Sequence, residues 1–348
     1  MEREGARLAA RSASAALSDR CAPNADGAAG VEPSPPAPPM RRLLALLVLA
    51  GCATPRPGAP PAAPEPLTPT ALGISGMAPA GADSFLVVYD AKSFEEGPRL
   101  GLLAVGPAGV AERYLAVADW RDADGRASDL EGACALADGT FLVAESGTFE
   151  GQFGRMFHVR LAEGAAEVLA AVRLPFARDN TPTADGDNLE GLACVAEGDG
   201  ALVLLGERGA SAAYAAGLVR WARFSPASGR LDVTEAGRAG VEVRAPGTLV
   251  AEGFRSISAL HVAPDGALWA AASRDPGDLG PFDSVVWRVG RVDARAAVPI
   301  VVEEGGPACP LAGFKVEAVS APALGLGTLS VGTEDEALGG AWRPLRCE

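Results

Sequence analysis

Asp129-Leu130-Glu131-Gly132-Ala133-Cys134 decides how this chain is read, because it returns as Asn188-Leu189-Glu190-Gly191-Leu192-Ala193-Cys194. The first copy continues through Asp138-Gly139 into Phe141-Leu142-Val143-Ala144 and then Glu145. The second continues through Asp199-Gly200 into Ala201-Leu202-Val203-Leu204-Leu205 and then Glu207. Strand, glycine turn and second strand ending in a carboxylate together describe a β-hairpin. Related hairpins follow Ser75, Ser258 and Glu317, and end near Asp90, Asp275 and Glu334.

Aligning Ser75, Glu131, Glu190, Ser258 and Glu317 gives steps of 56, 59, 68 and 59 residues. Each step has room for two more strands, such as 156–161 with 167–172, or 218–224, or 284–289. Four antiparallel strands per unit, repeated at long period, predict an all-β fold, a β-propeller of five four-stranded blades. A sixth blade could come from the apolar positions of Leu231–Val243 inside the longest step. The last repeat supplies three strands, so a strand near Leu67–Leu72 is expected to complete it and close the ring, removing an exposed edge.

The chain ahead of the repeats divides three ways. Residues 1–39 show no apolar period and read as an upstream segment, with Met40 as the expected start. Residues 40–51 carry Arg41-Arg42, a short apolar run and Leu49-Ala50-Gly51 before Cys52, the pattern of a bacterial lipoprotein signal peptide. Cys52 is then expected to be lipidated, anchoring the protein in the cell envelope at the periplasmic face of the outer membrane. Residues 52–70 form a Pro/Ala-rich tether, and 71–348 the propeller domain. A net charge of −14 opposes nucleic acid as a partner, since phosphate backbones need a basic surface. A periplasmic protein or a small ligand fits better.

In a blade the inner strand starts, and the second strand ends, at the same mouth of the central channel. Glu131, Glu190 and Glu317 should therefore gather there with Glu145, Glu207 and Glu334. Crowded carboxylates raise one another's pKa unless a cation or donor compensates, and Ca²⁺ is a natural hard-cation neutraliser. Alternatively the glutamates accept backbone N–H bonds from neighbouring blades and fix the blade angle. Of the cysteines, Cys309 and Cys347 flank the last repeat and are the favoured disulfide; Cys134 and Cys194 either pair or remain buried thiols. Both histidines, His158 and His261, fall within strand patterns, and no nucleophile elbow, Walker loop or zinc motif occurs.

Ser128-Asp129-Leu130-Glu131-Gly132 and Ala137-Asp138-Gly139-Thr140-Phe141-Leu142-Val143-Ala144-Glu145-Ser146 resemble the esterase-like phytase and SdiA-regulated propeller families. That resemblance spans about 72–346 and implies a propeller whose acidic mouth either binds a ligand or works as a calcium-dependent phosphoesterase. In the phosphoesterase reading Glu131, Glu190, Glu207 and Glu317 hold calcium while Arg208 and Arg274 hold phosphate. Arg155, Arg255 and Lys315 are further basic candidates. The primary expectation is a lipid-anchored binding module.

Overall fold

The structure, a computed structural model, describes residues 68–147, 154–174, 186–211, 216–247 and 254–347. Residues 1–67, with Cys52, lie outside the described residues, and 68–70, the end of the expected tether, form a strand of the propeller instead. Strand β1 (Thr68–Thr70) precedes blade 1, which is β2 (Gly76–Gly81), β3 (Ser84–Val88), β4 (Leu100–Gly106) and β5 (Gly109–Leu115). Blade 2 is β6 (Leu130–Ala135), β7 (Phe141–Glu145), β8 (Arg155–Ala162) and β9 (Ala165–Arg173). Blade 3 runs β10 (Leu189–Glu197), β11 (Gly200–Glu207), β12 (Gly217–Ser225), β13 (Arg230–Asp232) and β14 (Val241–Val243). Blade 4 runs β15 (Phe254–Val262), β16 (Ala267–Arg274), β17 (Asp283–Val292), β18 (Ile300–Val302) and β19 (Ala308–Ala312). Blade 5 is β20 (Val316–Ser320), β21 (Leu329–Glu334) and β22 (Gly340–Leu345), completed by β1.

Five blades, not six, therefore close the ring. The stretch Leu231–Val243 is the outer strand of blade 3, broken by the short helix α1 (Glu235–Ala239) so that β13 and β14 both pair with β12. Thr234 caps α1 by accepting from the Gly237 N–H at 3.0 Å, and Gly240 ends it at φ 70°; together they turn the chain back to its own blade. The expected closing strand is β1, pairing Thr68 with Trp342 and Thr70 with Gly340. Apolar side chains on the two faces of each blade pack against the blades on either side, so the core is five interblade layers rather than one centre.

The inner strands β2, β6, β10, β15 and β20 touch in ring order around the axis. Their approach is close enough to dictate residue type. A Cβ at Gly76 would stand 2.9 Å from the Gly132 Cα, one at Gly132 2.6 Å from the Leu192 Cβ, and one at Gly191 2.8 Å from the Leu260 Cγ. Blades 4 and 5 carry Ala259 and Ala318 at the same position. The small residue after each glutamate of the repeat is thus an axial spacing requirement, and the axial cavity among these strands holds only about 10 Å³.

The glutamates themselves sit at bulges. Leu130 pairs with Glu145 and Gly132 with Ala144, which leaves Glu131 as the extra residue. The same shift isolates Glu190 between Leu189 and Gly191, and Glu317 between Val316 and Ala318. A bulge re-aims its extra side chain out of the ladder, and here it aims three carboxylates at one end of the axis. Two disulfides tie blades together: Cys134–Cys194 joins the inner strands of blades 2 and 3, and Cys309–Cys347 joins β19 to the residues after β22. The favoured pair is present, and the pair left open is a bond as well.

Replacing Gly132 by valine should cost about 1–3 kcal/mol through overpacking against Leu192. Urea unfolding of the variant checks this; an unchanged midpoint would mean the inner strands can spread.

Candidate functional site

The mouth at the bulged end encloses about 460 Å³, lined by Asp90, Lys92, Asp129, Glu131, Asn188, Arg208, Arg255, Lys315, Glu317, Glu334 and Glu336. Blade topology brings these together from different repeats. The arginines and lysines come from positions just before the inner strands or just after the second strands, which open onto this face. Two lining residues, Asp129 at φ 59° and Glu336 at φ 49°, occupy the left-handed region, where backbone strain is commonly stored at functional sites.

Arg255 is the hub. Its guanidinium reaches Glu190 at 3.2 Å, Glu317 at 2.7 Å and Asp275 at 2.7 Å, one acid from each neighbouring blade and one from its own. Arg208 adds a second contact to Glu190 at 2.5 Å. Lys315, almost fully buried, lies 3.2 Å from Glu317, 2.5 Å from Glu334 and 3.4 Å from Asp275, and also pairs with Glu336. Lys92 pairs with Asp129, whose other oxygen accepts from the Ser146 hydroxyl.

Glu131 differs from its equivalents. It is 8% exposed, lines the cavity, and makes no hydrogen bond or ion pair within 4.0 Å among the described residues. Burial, then Asp129, Glu190 and Glu317, push its carboxyl well above the ordinary carboxylate range. Burial likewise raises Asp90, which also has no hydrogen-bonded partner among the described residues. Burial pushes Glu317 up to about 8 despite Lys315 and Arg255. Glu190 shows the opposite outcome: burial opposes ionisation, but Arg208 and Arg255 together hold it below its usual value.

Of the six glutamates expected as metal ligands, the structure brings Glu131, Glu190, Glu317 and Glu334 to the mouth. Glu145 and Glu207 turn into their own blades. Glu145 is fully buried, takes the Arg155 guanidinium at 2.6 Å and accepts the Ser128 and Arg155 backbone N–H groups at 2.9 and 2.8 Å. Glu207 takes Arg220 at 2.6 Å. These second-strand acids tie together the strands of their own blade, while the contact between neighbouring blades expected of the first-strand acids is made by backbone groups such as Leu189 N–H to Ser146 O at 2.6 Å.

Calcium does not fit the expected set. Among the described residues no three acids, histidines or cysteines are grouped as a metal would need, and Glu190, Glu317 and Glu334 already hold side-chain cations. The phosphate pair also separates. Arg208 lines the mouth but is committed to Glu190, while Arg274 pairs with Asp283 at 3.3 Å and does not line it. The other end of the axis holds a smaller cavity of about 150 Å³, beside the Cys134–Cys194 bridge and His261, whose imidazole burial lowers to about 4.

Sequence reading put Arg255 and Lys315 among the basic candidates for phosphate, not as counter-charges of the glutamates. Arg255 stands three residues before Ser258, where the repeat lacks its glutamate. Lys315 stands two before Glu317. A basic residue just upstream of the repeat position was the available signal.

The pattern of the Phytase-like family, described as "Esterase-like activity of phytase", matches residues 69–312. No curated protein matches the chain. Among solved structures, a thermostable family-43 glycoside hydrolase aligns with TM-score 0.46 and 8% identity, over 78% of this chain and 88% of that one. A protein described as a putative oxidoreductase (glucose dehydrogenase), from Thermus thermophilus, aligns with TM-score 0.39 and 13% identity, over 79% and 97%. A luciferin-regenerating enzyme aligns with TM-score 0.37 and 10% identity, over 79% and 92%.

Two outcomes follow from the charges. Arg255→Met leaves Glu190 to Arg208 alone and Glu317 and Asp275 to Lys315 alone, and should cost about 1.5–3 kcal/mol, the worth of a charge-assisted hydrogen bond. Chemical denaturation reads this, and adding Glu317→Gln should recover part of the loss. Glu131→Gln should raise the unfolding midpoint by about 2–5 °C at neutral pH, since it removes an uncompensated buried carboxyl. The gain should be absent below the ordinary carboxylate range, where both states hold the proton. It should grow as pH rises and the unfolded chain alone releases that proton. A gain that shrinks with rising pH would contradict the assignment.

Proposed function

The chain belongs to the Phytase-like family, and from that premise we propose that it is a lipid-anchored propeller of the cell envelope that binds a small polar ligand in its acidic mouth. One observation carries this reading: Glu131 is buried, lines a cavity of about 460 Å³ and has no protein partner there among the described residues. A buried carboxyl facing a cavity of small-molecule size is satisfied by a guest or by a proton. The mouth and its paired acids hold Asp90, Asp129, Glu131, Glu190, Asp275, Glu317, Glu334 and Glu336 against Lys92, Arg208, Arg255 and Lys315. That surplus of negative charge repels a densely phosphorylated substrate. It favours a ligand that brings positive charge or hydrogen-bond donors.

The lipid anchor rests on the order of Arg41-Arg42, the apolar run and Cys52. It would hold the propeller at the periplasmic face of the outer membrane, tethered by 52–70. Metabolic labelling with a fatty acid in a bacterial host tests it: label should enter the protein and be lost in Cys52→Ala. Label retained by that variant would remove Cys52 as the acylation site.

A second reading, ester hydrolysis, is favoured by the raised proton affinity of Glu131, which suits a group that donates and accepts a proton near neutral pH. Turnover of p-nitrophenyl acetate and p-nitrophenyl phosphate separates the two. The binding reading predicts no turnover above background. Turnover abolished by Glu131→Gln would make the protein a hydrolase with Glu131 at its centre.

A further inference from the structure

Blades 1 and 4 are the two whose repeat position is serine rather than glutamate. In blade 4 the gap beside Ser258 is filled. Arg255, three residues earlier, enters it and bridges Glu190 of blade 3, Glu317 of blade 5 and Asp275 at the end of the second strand of blade 4. Ser258 itself donates to the Val316 carbonyl at 2.6 Å.

Beside Ser75 the mouth presents a comparable set of acids. The neighbouring blades supply Glu317 and Glu131, and the second strand of blade 1 leads to Asp90. Ile74 occupies the place of Ile257, and both donate their N–H to the previous blade, to Thr333 O at 2.9 Å and Arg208 O at 3.0 Å. The chain just before Ser75 carries no cation: Leu72 packs into the apolar layer between blades 5 and 1, whereas Arg255 belongs to β15. Lys92, the cation on the blade-1 side of the mouth, is engaged by Asp129. Glu131 and Asp90 consequently have no hydrogen-bonded partner among the described residues, and the Ser75 hydroxyl is buried with no hydrogen bond.

Resting on the reading of the mouth as a ligand site, we propose that the Ser75 gap binds the primary ammonium group of a small organic amine. There the ammonium lies against Glu131, Asp90 and Glu317, as the Arg255 guanidinium lies against Glu190, Asp275 and Glu317. An ammonium suits this arrangement better than a metal ion. Its three N–H donors reach acceptors about 2.7–3.0 Å away in separate directions, whereas a hard cation needs several oxygens drawn into one shell.

The test is calorimetric titration of the full chain at fixed ionic strength and neutral pH. The probes are 1,4-diaminobutane, its N,N′-diacetyl derivative, calcium chloride and inorganic phosphate. The diamine should bind, its diacetyl derivative should not, and Glu131→Gln should weaken the diamine at least about tenfold, the size of one lost charge-assisted contact. Asp90→Asn should likewise weaken the diamine in a protein that still unfolds cooperatively. Diamine affinity unchanged in both variants, or equal for the diacetyl compound, overturns the proposal. Binding of calcium or phosphate that depends on Glu131, with none of the diamine, refutes the ligand class while keeping the mouth as the site. If no probe binds in a Glu131-dependent way, the ligand-site reading fails too.

Discussion

Five inner strands converge on an axis with room for little more than their backbones, and the rest of the molecule follows from that crowding. Only glycine or alanine fits after the repeat position, at Gly76, Gly132, Gly191, Ala259 and Ala318. A bulge immediately before it, in three blades, turns Glu131, Glu190 and Glu317 out of their ladders toward one mouth. Carboxylates brought so close in a partly desolvated site must acquire cations, keep protons, or both. The protein does both. Arg208 and Arg255 lower the proton affinity of Glu190, whereas burial and the neighbouring acids raise that of Glu131.

The strand-terminal acids show how position within a blade separates residues that look alike in sequence. Glu145 and Glu207 close their strands beside the third strand of the same blade, where Arg155 and Arg220 meet them in burial. Buried pairs of this kind fix geometry more than they add net stability. In blade 5 the residue in that register is Thr333, opposite Val316, and Glu334 lies one residue further on, where it turns to Lys315 at the mouth. Structural and mouth-facing acids are thus sorted by one residue of register along the second strand.

Much of the fold was legible because the repeat is short and strongly patterned: the Glu-Gly pairs, the turn glycines and the step near 60 residues sufficed for blades and ring closure. The surplus length in blade 3 offered a sixth blade, but α1 interrupts an outer strand without starting a new sheet, and the five expected blades stand. The site was half legible. Alternation along strands put the glutamates at one mouth, but a bulge is a one-residue register shift that no periodicity reports. The counter-charges were less visible still. Arg255 serves Glu190 and Glu317 from blades on both sides, and such a contact exists only once the ring is closed.

Among the described residues Glu131 faces the cavity without a protein partner, and the reading of the mouth as a ligand site depends on it. Carboxyl-carbon NMR of the glutamate-labelled protein across pH, with Glu131→Gln to assign the signal, tests this most directly. A single signal that titrates well above the ordinary carboxylate range and vanishes in the variant is the predicted result. A Glu131 signal titrating with the surface glutamates would place it in solvent or on a cation, and would contradict the account of the mouth.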